Sequence, residues 1–296
     1  MREKRVKSLI EYLLFIAILQ IFKLLPYKAS QEIVIRIFLF FGLLVGIRKK
    51  VVQEQLKISF PDKDRNEIEE LTRLIYKNLA LTSLEMFAKH KLDNIEVEGW
   101  DNILNALKLK RGLILVTGHI GNWELAGRYI AHQKLPINVV IKRLRNRYFN
   151  DYVNRTRVKD GINIIYKTKT MRAVLTALKQ NEIVALLIDQ DAGKEGVIFP
   201  FLNREASVFT GFARLAERYD TPMITGIALR ESDNKNRFVF EKYLLPSEFD
   251  HEADKIIQIT AYFHTRLEFY IKKHPEQWFW VHRRWKGAKK AKKLQK

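Results

Sequence analysis

The stretch Leu113-Ile-Leu-Val-Thr117-Gly-His119-Ile-Gly-Asn122-Trp-Glu124-Leu-Ala-Gly127 decides the fold. Its first five residues are apolar or β-branched and read as a short buried strand, 113–117. Gly118 and Gly121 bracket His119 and let the backbone turn sharply there. Asn122 can accept the first free N–H groups of a following helix, 123–132. A strand, a tight turn and a helix place His119 at a strand's carboxyl end, where open α/β sheets gather their sites.

Outward from this unit the same alternation continues. Strand-like runs at 137–142, 162–166, 183–188 and 222–229 are separated by helical patterns at 148–159, 171–180 and 208–219. Residues 237–244 read as an antiparallel addition, and 254–273 as a long final helix. Strands alternating with helices predict an α/β fold with a mostly parallel central sheet flanked by helices. A charged helical segment, 62–77, precedes it. No internal repeat or Pro/Gly-rich linker divides 51–286.

The N-terminus differs in composition. Arg2, Lys4, Arg5 and Lys7 lead into an apolar stretch, 9–25, broken by Glu11, Gln20 and Lys23. A second stretch begins at Ile33, contains Arg36, runs uninterrupted over 37–47 and is closed by Arg48, Lys49 and Lys50. Neither reaches the roughly 18 unbroken apolar residues of a spanning helix, and no small-x-small cleavage site follows the first. The readings are an anchor with a cytoplasmic basic flank, two helices lying in the membrane interface, or a buried core hairpin. The basic flanks favour a membrane region over 1–50. Residues 287–296 form a basic tail, expected to be partly disordered.

The formal net charge is +20, from 53 Lys+Arg against 33 Asp+Glu. It draws the chain to polyanions: nucleic acid, an anionic membrane or a phosphorylated lipid. Nothing resembles a nucleic-acid module, and such a partner leaves the apolar N-terminus unexplained, so nucleic acid is not the expected partner and a basic nucleic-acid-binding protein stands only as the second alternative. The chain has no cysteine, which excludes disulfides and thiolate chemistry. No second ligand stands at metal spacing near His119, so neither metal nor cofactor is expected.

His119 and Glu124 are the expected catalytic pair. Five residues on an ideal helix turn through roughly 140°, so the two share no helical face. They meet only if His119 lies in the turn and Glu124 in the first helical turn. The carboxylate would then fix the imidazole tautomer, and the other ring nitrogen would act as general base. That suffices to deprotonate an alcohol attacking a thioester. The plainer alternatives are a structural histidine and a glutamate complementing the helix dipole.

His119-x4-Glu124 resembles the His-x4-Asp/Glu motif of the glycerolipid acyltransferase superfamily. In its strand and glycine context it resembles the bacterial lipid A biosynthesis (lauroyl/myristoyl) acyltransferases. Three further blocks are similar to that family's: 140–148 with Arg155 and Gly161; 185–191 with Gly196 and 199–201; and 275–286. The resemblance makes 51–286 the acyltransferase domain. It implies an acyl carrier protein or acyl-CoA thioester as donor and a phosphorylated glucosamine disaccharide, a lipid A precursor of lipopolysaccharide biosynthesis, as acceptor. It also implies contact with membrane lipids at the bacterial inner membrane, with the active site facing the cytoplasm. Acyltransferases of phosphatidylinositol mannosides share the broad pattern, so that acceptor, or a glycerol phosphate, is the alternative.

The blocks add substrate-binding candidates. Arg143, within a cationic run that includes Lys142, Arg145 and Arg147, can grip a phosphate bidentately; Asn146 and Arg155 follow it. Asp189 and Gln190 lie at another strand's carboxyl end, where Asp189 can bind an acceptor hydroxyl or orient a basic residue. Arg283 sits among Trp278, Trp280 and Trp285, a combination suited to a membrane interface or to a lid over the core. Backbone N–H groups around Gly121 and Asn122 are the expected oxyanion donors.

Overall fold

A computed structural model describes residues 2–87, 92–167, 170–232, 235–250 and 254–288. The α/β expectation holds, and its strand–turn–helix nucleus falls where the sequence places it. Strand β2 is Leu113–Thr117 and helix α6 is Trp123–His132, with the Asn122 side chain capping α6 by accepting from Leu125 N. The Gly121 backbone has φ +58°, and a Cβ there would lie 1.8 Å from the Ala228 carbonyl oxygen.

The main sheet has seven strands in the order β1-β9-β8-β2-β5-β3-β4. They are β1 Ile95–Glu98, β9 Lys235–Phe240, β8 Met223–Ser232, β2, β5 Ile183–Leu187, β3 Ile137–Ile141 and β4 Ile162–Tyr166. Only the β8–β9 pair is antiparallel, the addition expected near residue 237; β9 in turn carries β1 parallel at the sheet's edge. Buried alternation along the strands makes two cores. On one face Leu113, Leu115 and Ala185 pack under α5 (Trp100–Lys108) and α6. On the other, Ile114, Val116 and Val184 pack with α4 (Arg65–Phe87), α8 (Thr170–Lys179), α9 (Gly211–Tyr219) and α10 (Lys255–Lys273).

Three departures from the sequence reading have physical causes. Residues 197–208 form a two-stranded hairpin, β6 Val197–Phe201 and β7 Arg204–Val208. The sequence reading assigned no strand here; Pro200 is tolerated within β6 because an isolated hairpin has free edges. Leu202 and Asn203, both at positive φ, make its tight turn. Helix α9 therefore begins at Gly211, after β7. Helix α4 runs on to Phe87, well past residue 77, because Ile75, Leu79 and Leu84 keep its apolar face buried.

The N-terminal stretches are helical: α1 Arg2–Leu24 and α2 Tyr27–Leu39, the latter extended by a π-turn, Phe40–Leu44, then α3 Lys49–Ser59. Among the described residues no single helix is long and apolar enough to cross a membrane. The segments Tyr27–Leu44 and Lys49–Ser59 have the length and composition only as a pair, and they bend by 81°. One stripe of α1 packs on the domain: Tyr12 stacks on Tyr148, and Phe15 meets Phe87 and Phe149 edge-on. The tail expected at 287–296 lies outside the described residues beyond Ala288.

Helix α10 carries a buried titratable group. His264 is 1% exposed; its Nδ1–H donates to the Thr260 carbonyl oxygen at 2.9 Å, and Phe199 and Phe201 flank its ring. Burial, reinforced by the Arg284 charge, pushes its pKa from 6.5 down to about 4. The fold thus holds His264 neutral, while the unfolded chain protonates it at about 6.5. The resulting stability is complete above pH 6.5 and is lost as pH falls towards 4, to the extent of about 3 kcal/mol. Denaturant unfolding of His264→Leu at pH 7 and pH 4 is expected to show a correspondingly smaller acid destabilisation than the parent protein.

Candidate active site

The turn after β2 brings His119 against the end of β5. The Nδ1 of His119 lies 2.8 Å from Asp189 Oδ1, and its backbone N–H donates to Asp189 Oδ2 at 2.7 Å. Trp278 Nε1–H donates to the same Oδ2 at 2.7 Å. Asp189 is 2% exposed. Burial would raise its pKa, but the His119 charge and the hydrogen bonds from His119 and Trp278 outweigh burial and hold it at about 2. An ionised Asp189 demands a proton on Nδ1, which leaves Nε2 of the neutral imidazole as the lone-pair nitrogen. The Gln190 side-chain nitrogen stands 3.4 Å from Nε2. Trp123 and Phe279 wall the ring, with centroids 5.0 and 5.7 Å away.

The carboxylate on the imidazole is therefore Asp189, and the expected His119–Glu124 contact is not made. Glu124 does lie in the first turn of α6, as required. However, its oxygens are forked by Arg157 of α7 (Arg147–Lys159), Nε to Oε2 at 3.0 Å and Nη2 to Oε1 at 2.5 Å. A bidentate guanidinium in a partly buried setting outcompetes a single imidazole N–H for a carboxylate. Glu124 and Arg157 face the same cavity as His119. Arg157 escaped the sequence reading. Its signal was the spacing from Asn150 and Asn154, which put all three on one helical face.

The cavity holds about 980 Å³ and is lined by His119, Glu124, Arg157, Gln190, Lys142 and Lys167 among mostly apolar side chains. Of the expected substrate-binding residues, Asp189 and Gln190 are assembled here and four others are not. Arg143 is exposed and stacks its guanidinium 4.5 Å over the Tyr166 ring. Asn146 caps α7 through Tyr148 N and Phe149 N, and its amide also donates to the Ser8 carbonyl of α1; its polar atoms are spent on structure. Arg155 is exposed and donates to the Asp151 carbonyl. Arg283 lines a separate cleft with Arg48, Lys49 and Lys50. Trp278, Trp280 and Trp285 are at most 5% exposed, which puts them in the core and away from any membrane interface.

The turn is clamped from behind. Gly121 N–H donates to the Gln277 carbonyl at 2.9 Å, and Phe279 N–H donates to the His119 carbonyl at 3.0 Å. The Gly121 N–H is thus already engaged, and it is not the expected oxyanion donor. Thr82 Oγ1 donates to the Gly121 carbonyl at 3.1 Å. Beneath, Arg230 forks Glu85 with two contacts of 2.6 Å, and the Asn122 amide donates to Glu85 at 2.5 Å. Tyr27 OH also donates to Glu85, whose charge helps raise the tyrosine's pKa, after burial as the larger cause. Gly121→Ala is expected to cost about 3 kcal/mol or more, from the carbonyl clash and the positive φ together, read as a lowered denaturation midpoint.

A family model described as bacterial lipid A biosynthesis acyltransferase matches residues 1–287. The lipid A biosynthesis palmitoleoyltransferase of Escherichia coli is 26% identical over 247 residues, covering 81% of this chain and 79% of that protein. The lipid A biosynthesis lauroyltransferase of the same organism is 25% identical over 248 residues, with the same coverage of 81% and 79%. A phosphatidylinositol mannoside acyltransferase of Mycolicibacterium smegmatis is 23% identical over 199 residues, covering 66% of this chain and 62% of that one. With a match that runs through both the N-terminal helices and the His119 turn, this chain belongs to the bacterial lipid A biosynthesis acyltransferase family and is an acyltransferase.

Proposed function

We propose that the protein moves a fatty acyl chain from a thioester, carried by acyl carrier protein or coenzyme A, to a hydroxyl of a lipid A precursor. The observation that carries this reading is the His119 Nε2, its tautomer fixed by Asp189, opening onto a largely apolar cavity of about 980 Å³. Family membership supplies the acceptor class.

In the reaction Nε2 takes the proton of the acceptor hydroxyl as its oxygen attacks the thioester carbonyl. The new C–O bond puts the carbonyl electron pair on oxygen. The Gln190 amide, beside Nε2, is placed to donate to that oxyanion. The C–S bond then breaks, the oxyanion re-forms the carbonyl, and the departing sulfur takes the proton from the imidazolium. Asp189 stays ionised and stabilises the imidazolium between the two transfers. Glu124 holds Arg157 at the cavity wall, where the guanidinium's remaining N–H groups can meet a polar group of either substrate.

We further propose that the enzyme works at the inner membrane with its active site on the cytoplasmic side. Most of the large apolar side chains exposed among the described residues fall between Val6 and Ile47; Leu13, Leu14, Phe40 and Phe41 are each 47–60% exposed. The outer stripe of α1 is apolar while its inner stripe is docked on α7, the arrangement of a helix lying in the interface. Arg48, Lys49 and Lys50, next to this surface, suit anionic headgroups.

His119→Ala is expected to abolish transfer to the lipid A precursor, followed by mass spectrometry of the product, with expression and membrane association intact. Asp189→Asn, which removes the demand for a proton on Nδ1, is expected to lower kcat by on the order of 10³–10⁴. Near-normal turnover in either variant overturns the mechanism. Acylation confined to glycerol phosphate or a mannosylated phosphatidylinositol overturns the acceptor. Replacing Leu13, Leu14, Phe40 and Phe41 with serine should release the protein from anionic liposomes in a flotation assay.

A further inference from the structure

The central sheet is split at the site. β3 pairs with β4 over five residues, Ile137–Ile141 against Ile162–Tyr166, and β2 pairs with β5 over five. Between β3 and β5 the pairing stops after three, at Val139 and Ala185. Beyond that point the two strands part. Side chains alternate faces along a strand, so Val139 and Ala185 project to the α6 face while Val140 and Leu186 project to the α8–α9 face. All four line the same cavity. One continuous space therefore passes through the split and has a limb on each face, with His119 and Gln190 at the carboxyl edge between them.

The limbs differ in shape. The one under α6 runs past Leu115, Gly127 and Ala185 to Ile137, Ile162 and Phe240, which are at most 3% exposed. Its end is blind, and it spans the sheet from the ends of the strands to their beginnings, about 13 Å for four residues of strand. The one under α8 and α9 is floored by the buried Val174, Phe212 and Leu215, but its rim carries Met171, 59% exposed, and the exposed Gly211. It is open at the side.

We propose that the open limb is a binding site for one alkyl chain of the acceptor lipid, separate from the blind limb that takes the acyl chain being transferred. This rests on the acyl-transfer reading above. A chain delivered singly on a carrier thioester enters end-first and leaves water completely, which suits a blind tube. An acceptor with several chains cannot thread one into a closed tube without dragging the others out of the bilayer. It needs a slot whose side admits one chain while the rest stay in lipid. Two chains approaching from opposite faces of the sheet bring the thioester carbonyl and the hydroxyl together at the split, beside Nε2.

Two substitutions separate the limbs. A Cβ built on Gly211 meets nothing within 4 Å, so Gly211→Trp can fill the open limb without a backbone clash. A Cβ on Gly127 meets only Ile162 Cδ1, at 3.4 Å, so Gly127→Leu can fill the blind one. Gly211→Trp is expected to raise the KM for the lipid A precursor tenfold or more while keeping the ranking of donor chain lengths. Gly127→Leu should move the preferred donor to shorter chains and keep the acceptor KM within twofold. A shortened donor preference in Gly211→Trp, or an acceptor KM within twofold of the parent, overturns the assignment. A second measurement is independent of turnover: a lipid A precursor bearing a diazirine near the methyl end of one acyl chain is photo-crosslinked to the full-length protein. Labelling within 171–174 or 209–215 is expected. Labelling at Gly127, Ile137 or Ile162, or none, overturns it. If the parent protein transfers no acyl group to the precursor, the proposed function fails, whereas the position of the crosslink reports on the limbs alone.

Discussion

One buried carboxylate joins the parts of the site. Asp189 accepts from the His119 ring, the His119 backbone and the Trp278 indole, and so binds together the end of β5, the turn after β2 and the C-terminal segment. A carboxylate taken out of water costs several kcal/mol unless it is fully hydrogen-bonded. The fold meets that cost with three donors that also fix the imidazole. The requirement to satisfy Asp189 is thus the same requirement that aims Nε2 at the cavity. Gly118 belongs to this constraint, since a Cβ there would sit 3.2 Å from the Asp189 carboxyl.

A second buried charge pair supports the first. Glu85 and Arg230 have side chains 0% and 7% exposed, and Asn78, Thr82, Asn122 and Gln277 close the network around them. Such a pair adds little net stability relative to apolar packing, but removing one partner strands the other. Here it fixes the relative position of α4, β8 and the His119 turn. Helix α4 also carries α2, through Tyr27 and the buried contacts of Val34, Ala80 and Leu84. Both N-terminal helices α1 and α2 are therefore packed onto the rest of the fold.

The sheet was largely legible because its strands are short, β-branched and bounded by turn residues. Residues 113–117 and 162–166 could be placed to the residue, and Asn122 could be assigned as a cap from its position alone. What could not be read was which carboxylate reaches the imidazole. Glu124 is five residues from His119 and Asp189 is seventy away. Sequence proximity favoured the first, but α7 delivers Arg157 to Glu124 and leaves Asp189 for the ring. The reading of Asp189 left two roles open, binding an acceptor hydroxyl or orienting a basic residue, and named no partner; in the fold its partner is the His119 ring. Asn146 and the tryptophans, for which a lid over the core was one of two readings, were undecided for a related reason. A polar residue after a strand and an aromatic beside arginines have the same composition whether they meet substrate, lipid or the protein's own backbone, and only the packing decides.

The C-terminal clamp has a consequence for how His119 is held. The Gln55 amide donates to the carbonyls of Trp280 and His282 and accepts from Arg284 N–H, so the last described segment is stitched to one of the first helices, some 225 residues earlier. Those contacts, with Gln277 and Phe279 on the turn, join segments far apart in sequence, so their loop-closure entropy is among the largest in the fold. Strands β2 and β5 both precede in sequence the strap that holds His119 in place. The alignment of His119 therefore depends on residues 277–284, which lie far along the chain from the strands they brace.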